Sequence, residues 1–228
     1  MGKKKLFRFA QNKEFDNVVE PSREDVINGN FSLKGKWNEA FFKNNHPIVL
    51  ELGCGKGEYS VNLAQHFPDK NFIGIDIKGA RFWFGAKEAQ DKEIENVAFL
   101  RSQIELIDQL FAENEVSEIW ITFPDPQIKY RRSKHRLTHP DFLKRYHHIL
   151  KKEGSIHLKT DSEYLHGYTH GIVYAEGHEV IISSHDVYHH SNTHKHIPRY
   201  VKEIQTYYEG KYLEKGKAIT YLNFRLKY

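Results

Sequence analysis

The chain has 228 residues, with 34 Lys and Arg against 30 Asp and Glu, 15 histidines, one cysteine and one methionine, for a formal charge of +4. This length suits one domain with a sizeable core or two small ones, and an apolar content of 39% is too high for a disordered chain. No apolar run reaches the roughly 20 residues of a membrane-spanning helix, MGKKKLFRF lacks the apolar centre of a signal peptide and has Leu6 where a myristoylation signal needs Ser or Thr, and a lone Cys54 makes neither an internal disulfide nor a thiolate zinc site, which points to a reducing cytoplasm.

Residues 1–47 are polar and weakly periodic, with a basic run at Lys3, Lys4, Lys5 and Arg8, and read as an arm with one short helix over 37–43. From Ile48 onward, short β-branched runs alternate with helical patterns. Strands are predicted over 48–51, 71–77, 97–101, 118–123 and 155–160, each nearly continuously apolar, as a sheet covered on both faces requires. Helices fall between them at 58–66, stopped by Pro68, at 79–91, at 104–112, and at 140–150 with Pro140 in the first turn. There follow a helix over 162–176, a strand over 179–183, a His-rich loop, a helix over 200–208 and a strand over 218–226. The alternation predicts an α/β fold on a parallel sheet, one domain spanning 48–228 behind the arm.

The charge is unevenly placed. Residues 126–152 hold Lys129, Arg131, Arg132, Lys134, Arg136, Lys144, Arg145, Lys151 and Lys152 against the single acid Asp141, so this segment carries +8 and the remainder −4. A chain that is acidic outside one basic segment reserves that segment for a polyanion, where the plainer reading is a solvated helix face.

The first predicted strand runs into ELGCGKGEYS and then a helix, an arrangement that brings backbone N–H groups against a ligand. A dinucleotide fingerprint needs glycine at position 58, where Glu58 stands, and the phosphate-binding G-x-x-x-x-G-K-[ST] pattern is absent. Glu51 instead precedes Gly53, Gly55 and Gly57, and a second acid, Asp76, ends the next strand in FIGID. A glycine loop edged with carboxylates suits S-adenosylmethionine, which has a cationic amino acid end and a ribose diol but no phosphate. Asp76 is placed for the ribose hydroxyls and Glu51 for the amino acid portion; Gln103, past the third strand, is a candidate for the adenine. The fourth strand ends in Phe123-Pro124-Asp125-Pro126, two prolines that exclude helix at Asp125 and hold its carboxylate at the carboxyl end of the sheet, where open α/β sheets bind ligands. The basic run KYRRSKHR follows at once.

Together, ELGCGKG, GID, FPDPQIKYRRSKHRL, HLKTD and TYYE resemble the bacterial tRNA (guanine-N7)-methyltransferase family, in the right order from about Ile48 to the C-terminus. The resemblance implies a Rossmann-like class I methyltransferase fold, a seven-stranded, mostly parallel sheet with an antiparallel last strand and helices on both faces. It implies S-adenosylmethionine as methyl donor and the variable-loop guanosine of tRNA, position 46, as acceptor, with no obligatory protein partner, metal or membrane. Carried over residue by residue, Glu51, Gly53, Gly55, Asp76, Gln103 and Asp125 match cofactor positions and Asp125 the catalytic one. Lys129, Asp161, Thr206, Tyr207, Tyr208 and Glu209 match substrate positions, while Arg131, Arg132, Lys134 and Arg136 are substrate candidates by the charge of the basic run. The chain departs from the family at Gln127, where Trp is usual, at Gln103, where an acid is usual, and at His135, where a second Arg is common.

The chemistry of the acceptor is independent of that resemblance. Guanine N7 has a free lone pair and no proton, so its methylation is an in-line displacement without a general base, and positioning supplies most of the rate. The base becomes cationic as the methyl arrives, so a fixed carboxylate gains attraction in the transition state; Asp125 and Asp161 are the candidates. Flipping the base from its stack needs an apolar slot, for which Phe123, Tyr207 and Tyr208 are available, while the basic run and the lysine arm would take phosphates.

Two other functions compete with this one. A ribose 2′-O-methyltransferase would use a lysine to deprotonate the hydroxyl, and Lys159 beside Asp161 is placed for that unless strand alternation turns it away. A non-catalytic RNA-binding module on the same fold is the other. A pyrimidine C5-methyltransferase is excluded because Cys54 lies inside the cofactor loop, and an amino-group methyltransferase because FPDP is not [ND]-P-P-[YF]. Histidines 185, 189, 190, 194 and 196 have spacings that invite a metal, but Ser191, Asn192 and Pro198 read as a polar loop.

Overall fold

The computed structural model describes residues 3–189 and 197–227. In chain order the elements are α1 (Lys3–Asn12), β1 (Val18–Val19), α2 (Arg23–Ile27), β2 (Ile48–Leu52), α3 (Glu58–His66), β3 (Asn71–Ile75), α4 (Gly79–Asp91), β4 (Val97–Leu100), α5 (Ile107–Leu110), β5 (Val116–Thr122), α6 (Pro140–Ile149), β6 (Leu150–Thr160), α7 (Glu163–Ala175), β7 (Glu179–Ser184), α8 (Arg199–Glu203), α9 (Tyr207–Glu214) and β8 (Thr220–Arg225). They form one sheet in the order β1-β4-β3-β2-β5-β6-β8-β7, parallel except for β8, which runs antiparallel to both β6 and β7. Apart from β1, this is the expected seven-stranded arrangement; the eighth strand is the two-residue β1, paired parallel with β4 through Val18↔Phe99 and Val19↔Leu100.

Strand alternation divides the core into two layers. Ile48, Leu50 and Leu52 face a layer containing Trp37, Leu143, Tyr146, Leu165 and Val173, whereas Val49 faces one built on Tyr59, Leu63, Phe82, Ala86, Trp120 and Tyr221. Glu51 is in phase with Val49 and is paired in register with Trp120 of β5. Its carboxylate is therefore committed to the α3–α4 side, together with Thr122 of β5 and, through the Thr122↔Lys159 pairing, Lys159 of β6.

The polar segment expected to be an arm packs on this frame. Helix α1 docks on α4: the buried Asn12 amide donates to the Gly79 carbonyl at 3.0 Å, and Trp83 Nε1 donates to Gln11 Oε1 at 3.0 Å. Trp37 opens a π-helical turn over Trp37–Phe42, is fully buried, stacks on Phe111 and donates its indole N–H to the Leu110 carbonyl at 3.1 Å. Two other differences are local. The helix expected over 104–112 is a 3₁₀ turn (Ile104–Leu106) followed by the short α5, and the helix expected over 200–208 is broken into α8 and α9 because Thr206 starts a new helix with a capping box to Glu209.

Candidate active site

The glycine loop joins β2 to α3 with Gly53, Gly55 and Gly57 all at positive φ, between 58° and 78°, conformations that L side chains rarely adopt. A Cβ on Gly57 would lie 2.4 Å from the Phe99 ring, so close packing also demands glycine there. At Gly55, which lines the cleft, a Cβ would meet Arg81 Nη2 at 3.8 Å and the Gly53 carbonyl at 3.9 Å, ordinary contacts, so there it is the backbone conformation that favours glycine. The loop is tied to the end of β3: Gly53 and Cys54 donate to the Ile75 carbonyl, and Asp76 accepts from Gly55 N at 3.1 Å and Lys78 N at 2.8 Å.

Glu51 lies behind this loop, buried. One carboxylate oxygen accepts from Ser60 N at 2.9 Å and Ser60 Oγ at 2.5 Å, the other from Thr122 Oγ1 at 2.5 Å. All three donors are neutral. Burial raises the carboxyl from its ordinary 4.5 to about 7, with the Asp76 charge adding to the shift and the three hydrogen bonds opposing it. Between these two values the folded chain holds a proton that the unfolded chain has released, so stability falls as pH rises. The cost is fully present above about pH 7, absent below about pH 4.5, and amounts to about 3 kcal/mol. A bound cation would offset it. Cys54 is buried in the same loop with its thiol raised by burial and by Glu51, an environment unsuited to a nucleophile.

The cleft above the loop brings together Glu51, Gly53, Gly55, Phe123, Thr206 and Tyr208, along with Arg81, Lys56 and Glu58. Glu58 holds its far wall by accepting from Tyr207 N at 3.0 Å, and Lys56 stacks over the Tyr207 ring at 4.2 Å. Gln103 lies apart from this cleft, in an adjoining cavity of about 350 Å³ lined by Ile77, Arg101, Ser102 and Leu106, where its side-chain oxygen accepts from Arg23 Nε at 3.1 Å.

Asp125 is exposed at the end of β5. Residues on either side of it, Phe123 and Gln127, both have φ of +46°, costly for non-glycine residues and doubly so for Phe123, which precedes a proline. The strain is held by anchors: Phe123 N donates to the Lys159 carbonyl at 2.8 Å, Gln127 N to Asp125 Oδ1 at 3.0 Å, and the Arg136 guanidinium to the Gln127 carbonyl at 3.1 and 3.3 Å. Beyond them a 3₁₀ turn, Tyr130–His135, carries Lys129, Arg131, Arg132 and Lys134 into solvent; among the described residues none of these four has a carboxylate within 4 Å. Tyr130 is 92% exposed among them, an aromatic surface that the charge pattern alone did not single out.

Two expected substrate contacts are corrected by their burial. Arg136 is only 3% exposed, its guanidinium packed over the Tyr168 ring at 4.2 Å and bonded to Tyr164 Oη, so it clamps the basic loop instead of presenting a charge. Glu209 is fully buried: it caps α9 through Thr206, accepts from Tyr188 Oη at 2.7 Å and pairs with Lys159 Nζ at 2.7 Å. Lys159 also donates to the carbonyls of Val201 and Ile204 at 2.6 and 3.0 Å. With no exposure and three acceptor groups around it, this lysine is a strut under α8 and α9 and has no path to a substrate hydroxyl. Asp161 reaches Lys217 Nζ at 2.6 Å near the Tyr212 ring. Of the histidines that invited a metal, 190, 194 and 196 lie outside the described residues, His189 pairs with Asp186 at 3.0 Å, and among the described residues no three His, Cys, Asp or Glu side chains are gathered to hold an ion.

A family model described as "Putative methyltransferase" matches residues 45–222. A tRNA (guanine-N(7)-)-methyltransferase from Christiangramia forsetii is 62% identical over 225 residues, covering 99% of both chains. The chain belongs to the tRNA (guanine-N7)-methyltransferase family. A second member, from Bacteroides fragilis, is 48% identical over 99% of this chain and 87% of its own. Among solved structures, the 16S rRNA methyltransferase KamB aligns over 92% of this chain and 96% of its own at 12% identity with a TM-score of 0.61, a likeness of fold.

Methyltransferases of this family and fold use S-adenosylmethionine, and the residues present suit it. The buried Glu51 carboxylate, with a raised pKa and only neutral donors, would hold the cofactor's ammonium. Arg81 and Lys56 line the same cleft as Gly55, where the carboxylate end would be met. Asp76, fixed by two backbone amides, would keep lone pairs for a ribose diol, and Ile77, next in the chain, lines the mixed polar and apolar cavity that holds Gln103. In keeping with this, Glu51→Gln is expected to raise the melting temperature of the ligand-free protein above pH 7, where the buried charge costs most, while weakening S-adenosylmethionine binding roughly 10- to 100-fold, as removal of a charge-assisted hydrogen bond does. Calorimetric titration at pH 6 and 8 checks both, since the wild type should bind more tightly at the higher pH and the variant should lose that dependence.

Proposed function

We propose that this protein methylates N7 of a guanosine in the variable loop of tRNA, position 46, by direct in-line displacement with Asp125 as the catalytic carboxylate. The observation that carries the reading is the strained, anchored FPDPQ corner, which fixes one carboxylate two residues past Phe123 of the cleft wall and launches the exposed basic turn from the same point. When bound, S-adenosylmethionine supplies an electrophilic methyl group on sulfonium. The protein's own contribution is placement and charge. Glu51, Asp76 and the glycine loop hold the donor, Phe123 and Tyr208 wall the space where a flipped base would enter, and Asp125 stabilises the positive charge that N7 methylation creates on the purine. No group is needed to remove a proton, which agrees with the burial of Lys159 and disfavours the ribose 2′-O reading.

Mass-spectrometric mapping of nucleosides after incubation with unmodified tRNA tests the proposal. It predicts 7-methylguanosine confined to the variable loop; a 2′-O-methylated nucleoside, or no product, would overturn it. The basic turn has its own signature. Reversing the charges of Arg131, Arg132 and Lys134 together should raise the tRNA KM much more than it lowers kcat. It should also make the salt dependence of log affinity shallower by about two to three, near 0.7 to 0.9 for each phosphate no longer neutralised. Unchanged tRNA affinity across salt concentrations would remove these residues from the interface.

A further inference from the structure

A second cationic feature faces the same rim from the other side. Between α1 and the start of α4 lies a cavity of about 560 Å³ with Phe9, Ile77, Ala80 and the side-chain stems as its apolar wall, ringed by Lys5, Arg8, Lys78, Arg81 and Arg101 and with no acidic side chain in the lining. Among the described residues only Arg101 of these five has a carboxylate within 4 Å, Glu20 at 3.7 Å. Two of the others are held by packing: Arg8 over Trp83 and Phe84 at 5.1 and 4.3 Å, and Lys5 over Phe9 at 5.9 Å. Arg81 also borders the cofactor cleft; the other four like charges around this cavity repel, and two of them, Lys5 and Arg8, are added by α1. The buried Asn12 amide and the Gln11–Trp83 bond nevertheless fix α1 in that position. An array of cations with so little acidic compensation, on a rigid frame, is a site for an anion.

Topology says which anion. Lys78 follows β3 and Arg101 follows β4, whereas Asp125 and the basic turn follow β5, so in the order β4-β3-β2-β5 the cavity and the turn flank the glycine loop. Three strand spacings, about 14 Å, separate β4 from β5. A ligand that touches both must be an extended polyanion crossing the cofactor cleft. We propose that the cavity between α1 and α4 binds a backbone phosphate of the tRNA, making a second phosphate site that grips the RNA from the side opposite the 129–136 turn. This inference rests on the tRNA reading above. It turns the expected basic arm into a docked half of the RNA surface, completed by Lys78 and Arg101 from outside the arm.

The test uses the full chain with Lys5→Gln/Lys78→Gln, which removes charge without adding repulsion, and Lys5→Glu/Lys78→Glu beside it. Binding of unmodified tRNA, measured by fluorescence anisotropy across salt concentrations, should weaken at least about 10-fold in the Glu pair. The slope of log affinity against log salt should be shallower by about 0.7 to 0.9 in both pairs, the value for one phosphate left without its lysines. S-adenosylmethionine affinity by calorimetry should stay within about twofold of wild type. Unchanged tRNA affinity and slope in folded variants would overturn the proposal. So would a fall in S-adenosylmethionine binding equal to the fall in tRNA binding, which would assign the cavity to the cofactor, or binding of inorganic phosphate to the wild type that is lost in both variants while their tRNA binding is unchanged, which would make it a small-anion site. Wild-type protein that makes no 7-methylguanosine would fail the functional reading itself, independently of these variants.

Discussion

Asp125→Ala is expected to abolish most methyl transfer while leaving much of the cofactor affinity. The carboxylate is exposed at the rim, bonded through one oxygen to Gln127 N, and among the described residues its other oxygen accepts nothing. Deleting it removes the charge proposed to face the developing purinium and also an anchor of a corner strained at Phe123 and Gln127. Removing one preorganised electrostatic partner of this kind costs roughly 10²- to 10³-fold in kcat. Asp125→Asn separates the two effects, because the amide oxygen keeps the acceptor for Gln127 N but carries no charge. Near-equal losses in the two variants, measured by single-turnover transfer of labelled methyl, would assign the effect to charge. A largely active Asp125→Asn would assign it to the turn and remove the electrostatic role.

The second large effect is on stability. Lys159 and Glu209 form an ion pair with neither side chain exposed to solvent; burial lowers the lysine pKa and the Glu209 charge opposes that shift. Lys159→Ala strands the Glu209 carboxylate and the Val201 and Ile204 carbonyls in a dry environment, a destabilisation of about 3 to 5 kcal/mol, which for a domain of this size lowers the melting temperature by roughly 6 to 20 °C. Thermal unfolding followed by circular dichroism measures it. The paired change Lys159→Met/Glu209→Gln should recover much of the stability, since the stranded charge is then gone, whereas additive effects would show that the two side chains act separately. At temperatures where the single variant remains folded, 7-methylguanosine should still form; a selective failure of chemistry with normal folding would reinstate a catalytic lysine.

Strands β2 to β5 and helices α3 and α4 were legible because each is read from local signals, near-continuous apolar runs and cap residues, and these signals agree with the tertiary structure. The glycine loop with Glu51 and Asp76 was legible for the same reason, as was the proline-flanked Asp125. What escaped is non-local. The basic run predicted exposure for Arg136 and the resemblance a substrate contact for Glu209, yet both are buried because tyrosines and a lysine 28 to 50 residues away along the chain supply their partners. The T-x-x-E spacing of Thr206 and Glu209 did carry a local message, a helix start, which the resemblance to a substrate segment overshadowed. The polar average of residues 1–47 concealed an amphipathic α1, and a two-residue strand such as β1 has no periodicity to detect; it exists only because β4 offers an edge.

The position of β8 has a consequence for how the molecule is made. It follows β7 in the chain yet lies between β6 and β7, so β7 has no strand to join until β8 has been synthesised. Helices α8 and α9, which roof Lys159, are spelled between those two strands, as are Thr206 and Tyr208 of the cleft. On a ribosome, where earlier segments fold first, the glycine loop and the basic turn can take shape while the roof is still missing. Such a nascent chain could meet RNA through its cations, but it acquires a finished methylation site only when its last strand is inserted, so the timing of activity is set by strand order.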